Sequence, residues 1–370
     1  MKRTIALVMA LLMIGMTGCG AANDASKSGG EVGSSTENTA GEAAKDGKAK
    51  VLKWATSNTT AMWNDEEMDL MAAEKYFQEQ LPVVTEGRYE VQFYLDGQLA
   101  SGTSEQLQGV KSGVFDITDV GCANLGEFTN AFAEISVPYM YQNQDVVDEI
   151  LNGEVGQDMM DRAVEDIGGV VPMFYADNGF RMLTNADKKI TCPDDLKGVK
   201  LRVQSDEIMI ATFEALGASI VSVSYSELFT ALQQKLVDAE ENPATNIYNQ
   251  KFYEVQKYCT VTNHMFTAFA YFMNEDVFQS MSEEDQKAVE KLCKECQAIR
   301  AEKMKECTDK YMEKLEAEGL DIYYLSNDEY VAFKDAMTEK VWPKCEEIMG
   351  TERWNKLNTA VGDAETKLGL

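Results

Sequence analysis

Histidine is almost missing from this chain; His264 is the only one. Any Ser–His or Cys–His chemistry would have to run through it, and no G-x-S-x-G elbow is present to hold a nucleophile. The phosphate-cradling patterns G-x-x-x-x-G-K-[ST] and G-x-G-x-x-G are also missing, which removes the usual nucleotide and dinucleotide sites. Cationic residues are scarce: 34 Lys and Arg stand against 62 Asp and Glu, for a formal net charge of −28. That balance excludes a nucleic-acid partner and a basic membrane-binding face. Long apolar runs are lacking too, so no segment reads as a bilayer-spanning helix. The sequence therefore predicts neither an enzyme nor a cofactor protein. Its many acidic residues make individual carboxylate pairs uninformative about catalysis.

The start of the chain carries a pattern of its own. Lys2-Arg3, an apolar run from Ile5 to Met13, and Gly15-Met16-Thr17-Gly18-Cys19 have the order of an export signal. Thr17-Gly18-Cys19 resembles a bacterial lipobox, with Met16 in the place where Leu is commoner. The expectation is a signal peptide over 1–18 and diacylation at Cys19, with residues 19–49 as a flexible tether. The tether is Gly, Ala, Ser, Thr, Asn, Lys and Glu, with almost nothing to bury against its conformational entropy. Loss of Lys2 and Arg3 makes the mature chain more acidic still. Assigning Cys19 to lipid leaves seven of the eight cysteines, an odd number that requires a free thiol or an intermolecular bond. Cys293 and Cys296 have C-x-x-C spacing but no second ligand pair, so burial on a helix face is expected rather than zinc.

The remainder is long enough for two domains, and 45% hydrophobic residues can fill their cores. Strands are expected at Lys50–Ala55, Tyr89–Leu95, Phe115–Val120 and Gly169–Tyr175. Helices are expected at Asp65–Leu81 (Met68, Met71, Ala72 and Phe77 inward, Pro82 just past the end), before Lys111, and at Asp145–Leu151 and Val155–Ile167. The alternation restarts after Asn178, with strands at Leu201–Val203, Ser219–Val223 and Tyr258–Thr262 and helices at Glu207–Leu216 and Ser226–Lys235. This predicts an α/β fold of two lobes with parallel sheets and a ligand cleft between them. Ser282–Glu318 has an N-cap, a stop at Gly319 and a helical stripe of Val289, Leu292, Cys293, Cys296, Ile299, Cys307, Tyr311 and Leu315. A rod of roughly 55 Å would cross both lobes. The expected boundaries are 50–178 plus 268–307 for one lobe and 179–267 plus 308–370 for the other. Leu320–Leu325 reads as a strand and the tail as helical around Trp342 and Trp354.

The segment from Cys192-Pro193-Asp194-Asp195-Leu196-Lys197-Gly198 through Lys200-Leu201-Arg202-Val203 resembles the signature of TRAP-transporter substrate-binding proteins. The match continues through Tyr225-Ser226-Glu227, Val237-Asp238-Ala239-Glu240-Glu241-Asn242-Pro243, Lys251-Phe252-Tyr253-Glu254-Val255 and Thr262-Asn263-His264. Upstream, Gly97-Gln98-Leu99, Phe115-Asp116 and Val137-Pro138-Tyr139 also fit. The resemblance implies a periplasmic-binding-protein-like architecture with one long helix spanning both lobes. It implies a small carboxylate ligand and delivery to a TRAP-type membrane permease.

It further implies that Arg202 forks onto the ligand carboxylate, a role suited to a planar, permanently charged group. Arg181, in Asn178-Gly179-Phe180-Arg181, matches a second ligand-contacting arginine; Asn242 matches a polar contact and Tyr225 an aromatic wall. Asn178 and Trp63 are added from their expected nearness to the cleft. Glu241 is expected to orient an arginine, and His264 to be structural. The sequence departs from sialate-binding members: Ala100-Ser101-Gly102 lacks their acidic pair and Gly121 replaces their glutamate. A uronate or a short hydroxy- or keto-acid is therefore expected in place of sialate. A receptor for an ABC importer, or a sensor, would use the same capture chemistry.

Overall fold

The computed structural model describes residues 47–370. The expected signal peptide, Cys19 and most of the tether lie outside the described residues. Among the described residues, eleven strands form two sheets. The first contains β1 (Lys50–Ala55), β2 (Tyr89–Tyr94), β3 (Ile117–Gly121), β4 (Val170–Phe180) and β10 (Phe266–Asn274), in the order β2-β1-β3-β10-β4. The second contains β5 (Met182–Asn185), β6 (Lys200–Arg202), β7 (Ser219–Val221), β8 (Ala239–Asn242), β9 (Tyr258–Val261) and β11 (Asp321–Tyr324), in the order β11-β9-β5-β8-β6-β7. Helices cover both sheets, as the α/β reading requires.

Both sheets are mixed, where the sequence predicts parallel ones. β10 runs antiparallel to β3 and β4, and β5 runs antiparallel to β8 and β9. The cause is the connection type. A helical crossover returns a strand parallel to its predecessor, but β4 passes to β5 through Arg181 alone, and β9 passes to β10 through a four-residue link. Each strand thus walks straight from one sheet into the other. The two crossings lie side by side, with Arg181 N donating to Met265 O at 2.8 Å.

The third connection is the helix Glu283–Ala317, 35 residues long and so about 52 Å. Ser282 caps it by accepting from Asp285 N at 3.1 Å, and Gly319 takes the positive φ of +93° that ends it. Its first half packs Val289, Leu292, Cys293 and Cys296 with Leu52, Trp54 and Phe77 of the first sheet and its flanking helix. Its second half packs Cys307, Tyr311 and Leu315 with Leu228, Ile247 and Phe252 of the second. Cys293 and Cys296 are buried, and all seven described cysteines are free thiols. Full burial of one such side chain as Phe77 contributes about 1.5–3 kcal/mol. The last helices, Asn327–Met349 and Thr351–Leu368, close a third cluster that joins residues of both sheets. The second of them lies on helices Gln144–Leu151 and Glu154–Ile167.

Several local readings shift. The helix expected over Asp65–Leu81 starts at Ala72 and contains Pro82; Asp69 at φ +42° breaks the earlier turns. Ala73, not Ala72, faces the core. β3 begins and ends later than expected, and β4 extends to Phe180. The stripe of the long helix also holds buried Arg300, which hydropathy does not reveal. Arg300 Nε donates to Asp177 O at 2.8 Å, Nη1 donates to Leu70 O, and Nη1 stands 4.0 Å from Glu74. Breaking such a buried pair leaves a carboxylate without its cation. Arg300→Met is therefore expected to lower stability by about 3–5 kcal/mol in denaturant unfolding; a loss well under 1 kcal/mol would show that Glu74 does not depend on it.

Candidate functional site

The arginines expected to bind ligand sit where the second sheet meets the crossings. Arg202 ends β6, beside Glu240 of β8 and Val221 of β7 in register. Leu201 and Val203 enter the core, so alternation puts Arg202 on the opposite side of the strand. Arg181 occupies the β4–β5 crossing. It is 2% exposed and Arg202 is 3% exposed, so each guanidinium must find protein partners or remain uncompensated in a poorly solvated setting.

Arg181 is largely paired. Nε and Nη2 grip the Glu241 carboxylate, with Nη2–Oε1 at 3.0 Å, and Nη2 also reaches Glu241 O and Asn242 Oδ1. Burial would raise the pKa of Glu241, but the Arg181 charge and the His264 hydrogen bond outweigh it and hold the carboxyl below its ordinary value. His264 sits in the β9–β10 crossing, with Nδ1 2.7 Å from Thr262 Oγ1 and Nε2 3.3 Å from Glu241 Oε2. Burial lowers its pKa, so the ring is neutral at pH 7. Both ring nitrogens thus face protein partners.

Arg202 differs. Nε donates to Val223 O at 3.0 Å, while Nη1 is buried without a partner. No carboxylate forms an ion pair with it among the described residues. Burial lowers its pKa, Glu241 and Glu240 raise it, and the nearby Arg181 lowers it. Glu240 is fully buried and accepts from Thr184 Oγ1 and Asn242 Nδ2, each at 2.6 Å. Desolvation raises its pKa to about 7. At neutral pH the Arg181–Glu241 pair cancels, Glu240 is only part ionised, and positive charge remains on Arg202.

The other expected residues divide. Asn242 belongs to this network and also accepts from Asn246 Nδ2 at 3.1 Å. Asn178 donates to Asn246 Oδ1 at 3.0 Å and accepts from Thr245, one step further out. Tyr225 packs edge-on against Phe252, ring centres 6.3 Å apart, and desolvation raises the pKa of its phenol. Trp63 packs its ring on Phe93 at 4.6 Å, with Lys75 Nζ 5.9 Å from the ring centre. Sequence reasoning missed Glu240 and Thr184. Ala239-Glu240-Glu241-Asn242 carries two adjacent carboxylates, yet all four residues are buried. The available signal was two adjacent carboxylates next to strand-forming residues in a segment already matched to ligand contacts.

A groove of about 500 Å³ between the last helix and the helices Gln144–Leu151 and Glu154–Ile167 is a separate feature. Lys356 and Lys367 at its edge are already paired with Glu154, Asp158 and Glu149.

Residues 60–347 match the family described as bacterial extracellular solute-binding protein, family 7. Among curated relatives, the 2,3-diketo-L-gulonate-binding periplasmic protein YiaO of Escherichia coli is 26% identical over 73% of this chain and 80% of its own length. The C4-dicarboxylate-binding periplasmic protein of Rhodobacter capsulatus is 28% identical over 71% and 78%. Among solved structures, the sugar acid binding protein of Advenella mimigardefordensis in complex with galactonate is 25% identical. It superposes with a TM-score of 0.78 over 86% of this chain and 99% of that one. The two-sheet α/β architecture agrees with that two-lobed fold. The chain belongs to the bacterial extracellular solute-binding proteins of family 7.

Proposed function

We propose that this protein captures a small organic acid between its lobes by forking the ligand carboxylate onto Arg202, and passes it to a TRAP-type membrane permease. The observation that carries the reading is Arg202 Nη1, buried and without a partner beside a neutralised Arg181–Glu241 pair. A buried guanidinium with a free donor is costly to leave so and favourable to fill with a carboxylate. Arg181 keeps Nη1, which donates to no group among the described residues, for a second ligand contact. Tyr225 supplies a wall, and Asn242 holds the arginine in place. Relatives named for diketogulonate and C4-dicarboxylates, and the galactonate complex, support an acid of this size. The family places the protein outside the cytoplasm, and lipid at Cys19 would hold it at the outer face of the membrane.

Three outcomes test these statements. In calorimetric titration with a panel of uronates, aldonates and short organic acids, Arg202→Ala should abolish binding and Arg202→Lys should retain little, since a point charge cannot replace the fork. Unchanged affinity in either variant would refute the clamp. Affinity for these acids, all ionised above pH 6, should weaken several-fold from pH 6 to 8. As pH rises through about 7 Glu240 gains its negative charge, which opposes an anion at Arg202; Glu240→Gln should flatten the slope, and an unaltered slope would exclude Glu240. Finally, Cys19→Ser should move the mature protein from the membrane fraction to the aqueous fraction, and membrane retention would argue against lipid at that residue.

A further inference from the structure

Beside Arg202 the two lobes meet through a pair of side-chain amides. Gln204 Nε2 donates to Asn124 Oδ1 at 2.7 Å. Asn124 lies in the turn Cys122–Glu127 that follows β3, and Gln204 lies two residues past Arg202. Arg202 is the last residue of β6, and Gln204 follows it in the stretch that leaves the strand. Four buried side-chain polar atoms lack a partner among the described residues, and two of them are Arg202 Nη1 and Gln204 Oε1. Gly121 keeps this spot open. Its φ of −59° suits any residue, so the missing side chain matters as space: a Cβ there would come 3.1 Å from Asn124 Nδ2 and 3.7 Å from Gln204 Nε2.

We infer that the Asn124–Gln204 pair reads a hydroxyl of the captured acid, so that the protein prefers hydroxy acids over unsubstituted or keto acids. This rests on carboxylate capture by Arg202 as proposed above. The reason is donor and acceptor arithmetic. Two primary amides joined by one hydrogen bond have an acceptor and a donor left over, here Gln204 Oε1 and Asn124 Nδ2. If both amides rotate by half a turn, the remainder is again one acceptor and one donor. A hydroxyl can donate to the first and accept from the second in either arrangement. A second carboxylate or a ketone only accepts, so it leaves Gln204 Oε1 buried and unpaired, and a methylene leaves both groups unpaired. The sequence narrows the ligand to a uronate or to a short hydroxy- or keto-acid; the amide pair selects the hydroxylated members.

The test is calorimetric titration of the mature chain with three matched pairs: D-galactonate against hexanoate, malate against succinate, and lactate against propionate. In each pair that binds, the hydroxy acid should be tighter by about ten- to a hundred-fold. Gln204→Met should bring that ratio close to unity without loosening the unsubstituted acid, and Asn124→Ala should do the same from the other lobe. An unchanged melting temperature of the ligand-free variants confirms that each folds; the Asn124 variant serves if Gln204→Met does not. Equal affinities within the pairs for the wild-type chain, or ratios that survive both variants, overturn the inference. Arg202→Ala separates the two levels. If it loses both members of a pair while Gln204→Met keeps the wild-type ratio, only the hydroxyl reading fails. If it binds both members normally, or if none of the six acids binds the wild type, the carboxylate clamp fails and the inference falls with it.

Discussion

Two arginines and two glutamates are buried within one small region, and only one full ion pair forms among them. Glu241 is engaged by Arg181 from one side and by His264 from the other, and it makes no ion pair with Arg202 among the described residues. Glu240 is engaged by Thr184 and Asn242 and is only part ionised at neutral pH. The distribution of partners, more than the number of charges, therefore leaves a cation waiting on Arg202. If Glu241 faced Arg202 instead, the site would close electrostatically and a ligand carboxylate would have to displace it.

The same residues join the lobes. Arg181 and His264 occupy the two strand crossings between the sheets, which are hydrogen-bonded to each other through Arg181 N and Met265 O. The long helix is the third link and packs on both sheets. Residues on short crossings have little freedom to drift, so the Arg181–Glu241–His264 cluster is held by the fold's connectivity as well as by its own hydrogen bonds. This gives the site the rigidity that selective capture needs, since a donor that is already oriented loses less freedom when it binds.

A chain with net charge −28 receiving an anion is consistent with this arrangement. Exposed charges are screened over roughly 8 Å at physiological salt, while Arg202 at 3% exposure acts in a poorly screened environment. The acidic exterior bears on solubility and partner choice; the surroundings of Arg202 are governed by a few buried groups.

Much of the architecture was readable because it follows from periodicity and caps. The long helix appears with its N-cap Ser282 and its stop at Gly319, and β1 with its expected ends, because local hydrogen bonding and burial on one face determine them. The position of Arg202 was readable too, since alternation with two apolar neighbours sends it away from the core. The antiparallel courses of β5 and β10 were not, because a strand's direction depends on whether it leaves through a helix or a direct crossing. The burial of Ala239-Glu240-Glu241-Asn242 was not readable either: those side chains tolerate the interior only through Arg181, Thr184, His264 and Asn246, distant in sequence or on another element. The sequence by itself determined which residues could bind an anion, because charge and geometry belong to the side chain. Only the tertiary structure decided which arginine remains unpaired, because that depends on which carboxylates the folded chain brings within reach.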